Sequence, residues 1–190
     1  VGLLGLLLSL HAAGQATGIA GRHSNEIDTQ VARHYPAVEA LYQDLHANPE
    51  LAFAEVRTAK KLADELRALG FEVTEGVGKT GVVGLLRNGQ GPTIMVRTEL
   101  DALPMEEKTG LPFASKVKTT IFGKESFVAH SCGHDLHMAA WVGTAKTLAG
   151  MRAQWKGTLM FVAQPAEETL GGAKSMIQDG LFTRFPKPQA

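Results

Sequence analysis

The sequence has 190 residues, which is the usual size of a single domain and is long enough to bury a sizeable core. Its 19 basic and 19 acidic residues balance, so its charge gives no indication of nucleic-acid binding. A hydrophobic content of 44% with 21 glycines is typical of a compact α/β domain and excludes a disordered chain. Because Cys132 is the only cysteine, an internal disulfide is also excluded.

The run from Val1 to Leu10 is uncharged and apolar. It has the length of a signal-peptide core and is shorter than the roughly 20 residues that a membrane-spanning helix needs. Gly14-Gln15-Ala16 follows with the small-x-small pattern of a cleavage site. We therefore expect residues 1–16 to be a truncated signal peptide and the mature protein to be exported (periplasmic or secreted), without membrane attachment. The alternative is an ordinary buried helix, although no polar face separates these leucines.

A polar linker and two helices are predicted between this run and the first strand. Residues 17–29 are mostly small and polar, which predicts the linker. Apolar positions recur at helical spacing over residues 30–47, and Pro36 inside this pattern predicts that the helix begins near it. A second amphipathic pattern over residues 56–69 predicts a helix that ends at Gly70.

Strand patterns begin at residue 71 and then alternate with helical ones. Apolar or alternating segments between turn residues predict strands at 71–74, 81–86, 93–96 and 158–163. Asn88-Gly89 is a strong signal for a hairpin after the second of them. We also expect a loop or small hairpin over 108–127, a helix ending at Gly150 and a short helix from Gly171 to Gly180. The alternation predicts an α/β fold with a largely parallel central sheet flanked by helices.

The segment from His130 to Ala140 carries the densest set of reactive side chains. Cys132 and His134 both reach one metal centre if the backbone between them is turned, and Gly133 permits that turn. Thiolate and imidazole suit zinc, nickel, cobalt or iron, and an added carboxylate extends the choice to manganese. Asp135 is a candidate to orient a ligand histidine through its second ring nitrogen. Alone, this spacing is weak evidence, because a buried cysteine beside structural histidines is commoner.

A pair of adjacent glutamates, Glu167 and Glu168, favours a metal site over a structural cysteine. Glu167 and Glu168 follow an apolar strand and precede Gly171-Gly172, which disfavours the usual interpretation, a solvated surface pair. Two glutamates in such a setting are costly unless a cation holds them. In an extended segment they point in opposite directions, so one can bind metal while the other faces the substrate as general base. Metal-activated water and such a base together form a complete scheme for amide hydrolysis.

Acidic residues also cluster in Arg97-Thr98-Glu99-Leu100-Asp101-Ala102-Leu103-Pro104, just after a predicted strand. In open α/β sheets, ligands bind beyond strand ends of this kind. Asp101 is therefore a candidate for the site, and the alternative is a helix cap or a turn acid.

Four motifs in this order resemble those of a known family, namely Leu45 to Phe53, Arg97 to Pro104, His130 to Ala140, and Pro165 to Glu168 with the glycines that follow. The sequence is similar to the amidohydrolase branch of peptidase family M20, subfamily D. That group includes hippurate hydrolases, N-acyl-amino-acid amidohydrolases and the auxin-conjugate hydrolases of plants. The resemblance implies metal-dependent hydrolysis of the amide bond of N-acyl amino acids or similar small amides and dipeptides.

The resemblance further implies a di-metal exopeptidase-like catalytic domain, of which residues 30–190 are the N-terminal part, truncated before a smaller lid domain used for dimerisation. The whole protein would be a homodimer or a higher oligomer. It would hold two divalent ions of manganese, zinc, nickel or cobalt. Two further histidine ligands of the family lie in regions that these 190 residues do not include, so we expect the fragment alone to have an incomplete site.

The motif positions imply a role for each matching residue. Cys132 would bridge the two ions, His134 and Glu168 would be further ligands, Glu167 would be the general base, and Asp101 would support the site. Glu99 stands where the family more often has aspartate, which predicts a changed contact beside the ligands, and His137 matches a motif histidine without an assigned role.

Two alternatives remain open at this point. The first is a non-catalytic relative that binds a small ligand or a metal, although a binding module has no need of Glu167. The second is an amidase in which Cys132 is a covalent nucleophile activated by His134, which leaves the two glutamates without a role.

Overall fold

A computed structural model describes the backbone of residues 9–190 and the side chains from residue 23 onward. Residues 1–8 of the predicted signal peptide, and the side chains of its remainder, lie outside the described residues, so that expectation stays a prediction. Helix α1 runs over Ser9–Ala47, so residues 17–29, expected as a linker, are helical. Pro36 lies inside α1 rather than near its start. Proline has no backbone N–H, so α1 lacks one helical hydrogen bond at this position. The helix tolerates this loss because its C-terminal half is anchored in the core through Leu41 and Leu45.

The remaining elements follow α1 in the order α2, β1, β2, β3, β4, β5, α3, β6, α4 and α5. Their bounds are α2 Val56–Ala68, β1 Glu72–Val77, β2 Gly81–Asn88, β3 Thr93–Glu99, β4 Lys118–Ile121, β5 Lys124–Phe127, α3 His134–Gly150, β6 Gly157–Gln164, α4 Gly172–Gln178 and α5 Leu181–Arg184. The predicted stop of α2 at Gly70, the small hairpin (β4 and β5) and the end of α3 are confirmed.

The central sheet has the strand order β1-β2-β6-β3 and is mixed, so the largely parallel sheet predicted from the sequence is wrong. β1 pairs antiparallel with β2, β2 pairs antiparallel with β6, and β3 pairs parallel with β6. The connections explain the difference. The chain leaves β3 and returns to β6 through α3, which allows these two strands to run parallel, whereas β1 and β2 are joined by residues 78–80 and must run antiparallel.

The hairpin predicted at Asn88-Gly89 is also wrong. The turn does connect β2 to β3, but β6 lies between these two strands. β6 is buried along nearly its whole length and so takes the central place, which the local turn signal does not reveal.

Both faces of the sheet are covered. On one face α2 and α3 pack against the sheet around Leu66, Trp141 and Phe161, and the indole nitrogen of Trp141 donates to the Val96 carbonyl oxygen at 3.0 Å. On the other face Met160 packs with Met176 of α4. Among the residues that the structure describes, no helix combines the length and apolar character that crossing a membrane requires.

The carboxyl ends of β3 and β6 lie side by side. Glu99 and Gln164 are register partners, and the Leu100 amide donates to the Gln164 carbonyl oxygen at 2.9 Å. The segments that leave these two ends carry Asp101 on one side and Glu167 with Glu168 on the other. This edge of the sheet is therefore the place where the predicted site residues meet.

Candidate metal centre

The structure brings the three predicted ligand residues together. One donor atom each of Cys132, His134 and Glu168 lies within 4.8 Å of the other two. Oε1 of Glu168 is buried and has no hydrogen-bond partner among the described residues, which is costly unless a cation or another donor fills the space beside it. Thiolate, imidazole and carboxylate together form a donor set for a divalent transition metal. The geometry therefore fits the implied ions, and the ligand role itself stays a prediction.

His134 is held in one orientation by the backbone. Gly133, at φ 86°, makes the sharp turn from which α3 begins, as its freedom at positive φ predicts. Nδ1 of His134 lies 2.7 Å from the Asp101 carbonyl oxygen, which can only accept, so the proton sits on Nδ1. Nε2 is then the unprotonated nitrogen, as a metal ligand requires. Asp135, the candidate to orient a ligand histidine, pairs instead with His46, which is not among the predicted ligands.

The Asp101 side chain fixes the backbone that carries the two glutamates. It is fully buried, and its two oxygens accept the amides of Glu167 at 2.9 Å and of Glu168 at 3.0 Å. Asp101 is therefore not a helix cap. Its carboxylate lies beneath the turn, which makes it a positioning residue for both glutamates.

Glu167 and Glu168 lie in a turn, so the extended segment expected from the sequence is wrong. The turn presents both carboxylates to His134. Oε2 of Glu167 is 3.7 Å from Nε2 of His134, and the Glu167 side chain is 36% exposed, which leaves it open to a substrate. The turn thus places the two carboxylates differently around His134, by a geometry that the sequence did not suggest.

Glu99 and His137 form a pair beside the site. Nδ1 of His137 lies 2.6 Å from Oε2 of Glu99, and Arg97 donates to the other oxygen of this carboxylate. Burial would raise the pKa of Glu99, but the hydrogen bond from His137 and the charge of Arg97 outweigh it and lower that pKa. Glu99 therefore contacts neighbours of the predicted ligands rather than the cluster itself, as its departure from the family pattern suggested.

The surroundings of Cys132 disfavour a role as nucleophile. A hydrogen bond to Glu168, followed by burial and by the charges of Glu168, Glu167 and Glu99, raises the pKa of this thiol. Nucleophilic cysteines instead lie beside cationic groups that lower the thiol pKa. A cation bound by the same carboxylates would reverse the effect, so the environment suits a metal ligand better.

Sequence reasoning missed a buried histidine near the site. His46 bridges two carboxylates, with Nδ1 at 2.6 Å from Asp135 and Nε2 at 2.9 Å from Glu107. Burial would lower the pKa of His46, but these hydrogen bonds outweigh it and raise the pKa. His130 is buried with neither ring nitrogen hydrogen-bonded among the described residues, and burial lowers its pKa to about 4. His46 lies in the motif that begins at Leu45, but nothing in the sequence indicated its partners.

The chain is similar to known proteins in both fold and sequence. A family model described as Peptidase family M20/M25/M40 matches residues 95–190. The solved structure of the Bacillus subtilis YXEP protein, described as a dinuclear metal binding peptidase from the M20 family, superposes with a TM-score of 0.70 and 39% identity. The match covers 79% of this chain and 40% of that chain.

Curated relatives agree with the structural match. A hippurate hydrolase from Campylobacter jejuni is 47% identical over 77% of this chain and 36% of its own length. An N-acetylcysteine deacetylase from Bacillus subtilis is 43% identical over 75% of this chain and 36% of its own length. An IAA-amino acid hydrolase from Arabidopsis thaliana is 34% identical over 92% of this chain and 39% of its own length. The chain thus spans little more than a third of these relatives, and it belongs to peptidase family M20/M25/M40, as its motifs predicted.

Proposed function

We propose that the whole protein is a metal-dependent amidohydrolase that cleaves the amide bond of N-acyl amino acids or similar small amides. The observation that carries the proposal is the convergence of thiol, imidazole and carboxylate donors within 4.8 Å, beside a second, partly exposed glutamate. The names of two relatives contain hippurate and N-acetylcysteine, and both compounds are N-acyl amino acids. Their shared chemistry supports this substrate class.

Cys132, His134 and Glu168 would hold the divalent ions (manganese, zinc, nickel or cobalt) that the proposed hydrolysis needs. The uncompensated Oε1 of Glu168 and the likeness to a dinuclear metal binding peptidase support this assignment. When bound, such ions lower the pKa of a water molecule and polarise the substrate carbonyl.

The chain's own residues supply the proton transfer and the alignment. Glu167 accepts a proton from the attacking water and returns it to the leaving nitrogen, since its carboxylate is partly exposed and lies beside His134. Asp101 keeps Glu167 and Glu168 in register through their backbone amides. The Asp101 carbonyl oxygen accepts a hydrogen bond from the Nδ1 proton of His134, which leaves Nε2 free to bind a metal ion.

The finer expectations on the whole protein are proposed as well. Regions of the relatives that this chain does not cover would supply two further histidine ligands and a lid domain through which the protein forms homodimers. Residues 1–16 would direct export, a proposal supported by their apolar and small residues. Sequencing the amino terminus of protein recovered outside the cytoplasm tests this, and a mature chain that retains the leucine run would contradict it.

The experiment that tests the central proposal uses the whole protein and its Glu167→Gln variant. Both proteins are assayed for bound metal and for hydrolysis of N-acetyl and N-benzoyl amino acids, with and without a chelator. We expect metal in both proteins, with chelator-sensitive hydrolysis only in the wild type. Metal-free protein or chelator-insensitive hydrolysis would overturn the proposal, and metal binding without any turnover by the wild type would favour a non-catalytic relative.

A further inference from the structure

Ala166, the residue immediately before the two glutamates, has a strained backbone. Its φ is 48°, in the left-handed region that is unfavourable for a residue other than glycine. Its carbonyl oxygen accepts the amides of Gly171 at 3.2 Å and Gly172 at 3.0 Å, which closes a tight loop. A Cβ on Gly172 would lie only 1.5 Å from the Pro165 carbonyl oxygen, so the loop leaves no room there for a side chain. Such strain persists only where surrounding contacts hold it in place.

The contact that holds the amide of Ala166 comes from Glu55. Oε1 of Glu55 accepts this amide at 2.8 Å, and Oε2 accepts the hydroxyl of Thr80 at 2.5 Å. The Glu55 side chain is fully buried, although it has no salt-bridge partner among the described residues. Burying a carboxylate without a cation is costly, and the hydrogen bonds from the Ala166 amide and the Thr80 hydroxyl offset part of that cost.

A simpler explanation, that Glu55 caps a helix, does not fit. Glu55 occupies the N-cap position of α2 but makes no side-chain capping bond. Glu50 takes over that task, since its two oxygens accept the amides of Arg57 at 3.1 Å and Thr58 at 2.7 Å. The Glu55 carboxylate points instead to the loop that carries the candidate base and ligand.

Three successive amides of that loop are therefore held by buried carboxylates. Glu55 binds the amide of Ala166, and Asp101 binds those of Glu167 and Glu168. We propose that Glu55 is a positioning residue for the hydrolytic site. It keeps Ala166 at positive φ and thereby directs the carboxylates of Glu167 and Glu168 towards His134. This inference rests on the proposed function. Without Glu55, Ala166 relaxes towards ordinary φ values and the two carboxylates turn away from His134.

The test compares Glu55→Met with Glu55→Gln and Glu50→Met in the whole protein. Methionine fills the space of Glu55 without accepting the Ala166 amide, whereas glutamine keeps that acceptor and can donate to Thr80. Glu50→Met is the matched control, because it removes two amide contacts from the same region but touches no site residue. Each variant is measured for kcat and KM on an N-acetyl amino acid, for Zn²⁺ affinity and for thermal unfolding.

We expect Glu55→Met to lower kcat and Zn²⁺ affinity by about 10- to 100-fold, the usual cost of losing a residue that supports a metal ligand, with KM little changed. Glu55→Gln should restore most of this loss. Glu50→Met should lower the unfolding temperature and leave kcat and Zn²⁺ affinity at wild-type values. A purely structural role of Glu55 would instead make the two methionine variants alike.

If Glu55→Met does not fold, Thr80→Val decides the question, because it removes one donor to the Glu55 carboxylate. We expect kcat to fall by about 5-fold, on the order of one hydrogen bond, and an unchanged kcat would overturn the inference. Glu55→Met with wild-type kcat and Zn²⁺ affinity would overturn it too, while leaving the proposed function standing. A wild-type protein that binds no Zn²⁺ and whose hydrolysis is insensitive to chelators would overturn both this inference and the proposed function.

Discussion

Replacing Asp101 by asparagine tests the arrangement beneath the two glutamates. The buried carboxylate accepts two amides, at 2.9 Å and 3.0 Å, and asparagine can accept only one of them because its NH2 group then faces the other amide. One hydrogen bond to a charged group is lost, which is worth about 1.5–3 kcal/mol, and the second is weakened. We therefore expect the free energy of unfolding to fall by about 3 kcal/mol and kcat to fall by about 10- to 100-fold.

The assay is urea unfolding of metal-free protein together with steady-state hydrolysis. The substitution leaves the Asp101 carbonyl oxygen in place, so the orientation of His134 should survive and the loss should come from the glutamate turn alone. Asp64→Asn is the matched control, since this exposed aspartate pairs with Lys60 and Arg67 at the surface and its replacement should leave the unfolding midpoint and kcat unchanged. An Asp101→Asn variant as stable and active as this control would refute the reasoning.

Three further predictions follow from the same geometry. Glu167→Gln should lower kcat by about 10²- to 10⁴-fold without loss of bound metal, measured by kinetics and elemental analysis. Iodoacetamide should label Cys132 only after a chelator removes the metal, because a coordinated thiolate is shielded; equal labelling beforehand would count against coordination. The stability contributed by His46 should be fully present below its usual pKa of 6.5 and be lost as the pH rises through its raised pKa in the folded protein. The unfolding midpoints of wild type and His46→Gln should therefore converge as the pH rises above 6.5, and a gap that widens would contradict this.

The sequence predicted the parts of the site that depend on local chain geometry. Gly133 allows the turn that brings Cys132 and His134 to one place, and Gly133 has the expected positive φ. The approach of Glu168 followed from its place at a strand end, where the segments after β3 and β6 come together. These inferences needed only the reach of the chain and the rule that ligands bind beyond strand ends.

The supporting contacts could not be predicted, because they join residues that are far apart in the chain. Asp135 was a candidate to orient a ligand histidine, but it binds His46, 89 positions away. Glu55 resembles an ordinary acid at the start of a helix, and its contact with Ala166 spans 111 positions. No local pattern distinguishes these buried carboxylates from solvated ones.

The sheet shows the same limit at a larger scale. The strands themselves were predictable from their apolar patterns, but their order was not. Asn88-Gly89 has the composition of a hairpin turn, yet β6, which is buried along nearly its whole length, lies between β2 and β3. Which strand takes that place depends on packing across the whole sheet, which a turn signal does not encode.

X-ray absorption of the zinc-loaded whole protein tests most directly the claim that Cys132, His134 and Glu168 share a metal. We expect a sulfur ligand at about 2.3 Å from zinc in the wild type, together with nitrogen and oxygen ligands at about 2.0–2.2 Å. The sulfur signal should vanish in Cys132→Ser, while nitrogen and oxygen ligands persist. A wild-type spectrum with nitrogen and oxygen ligands alone would contradict the account.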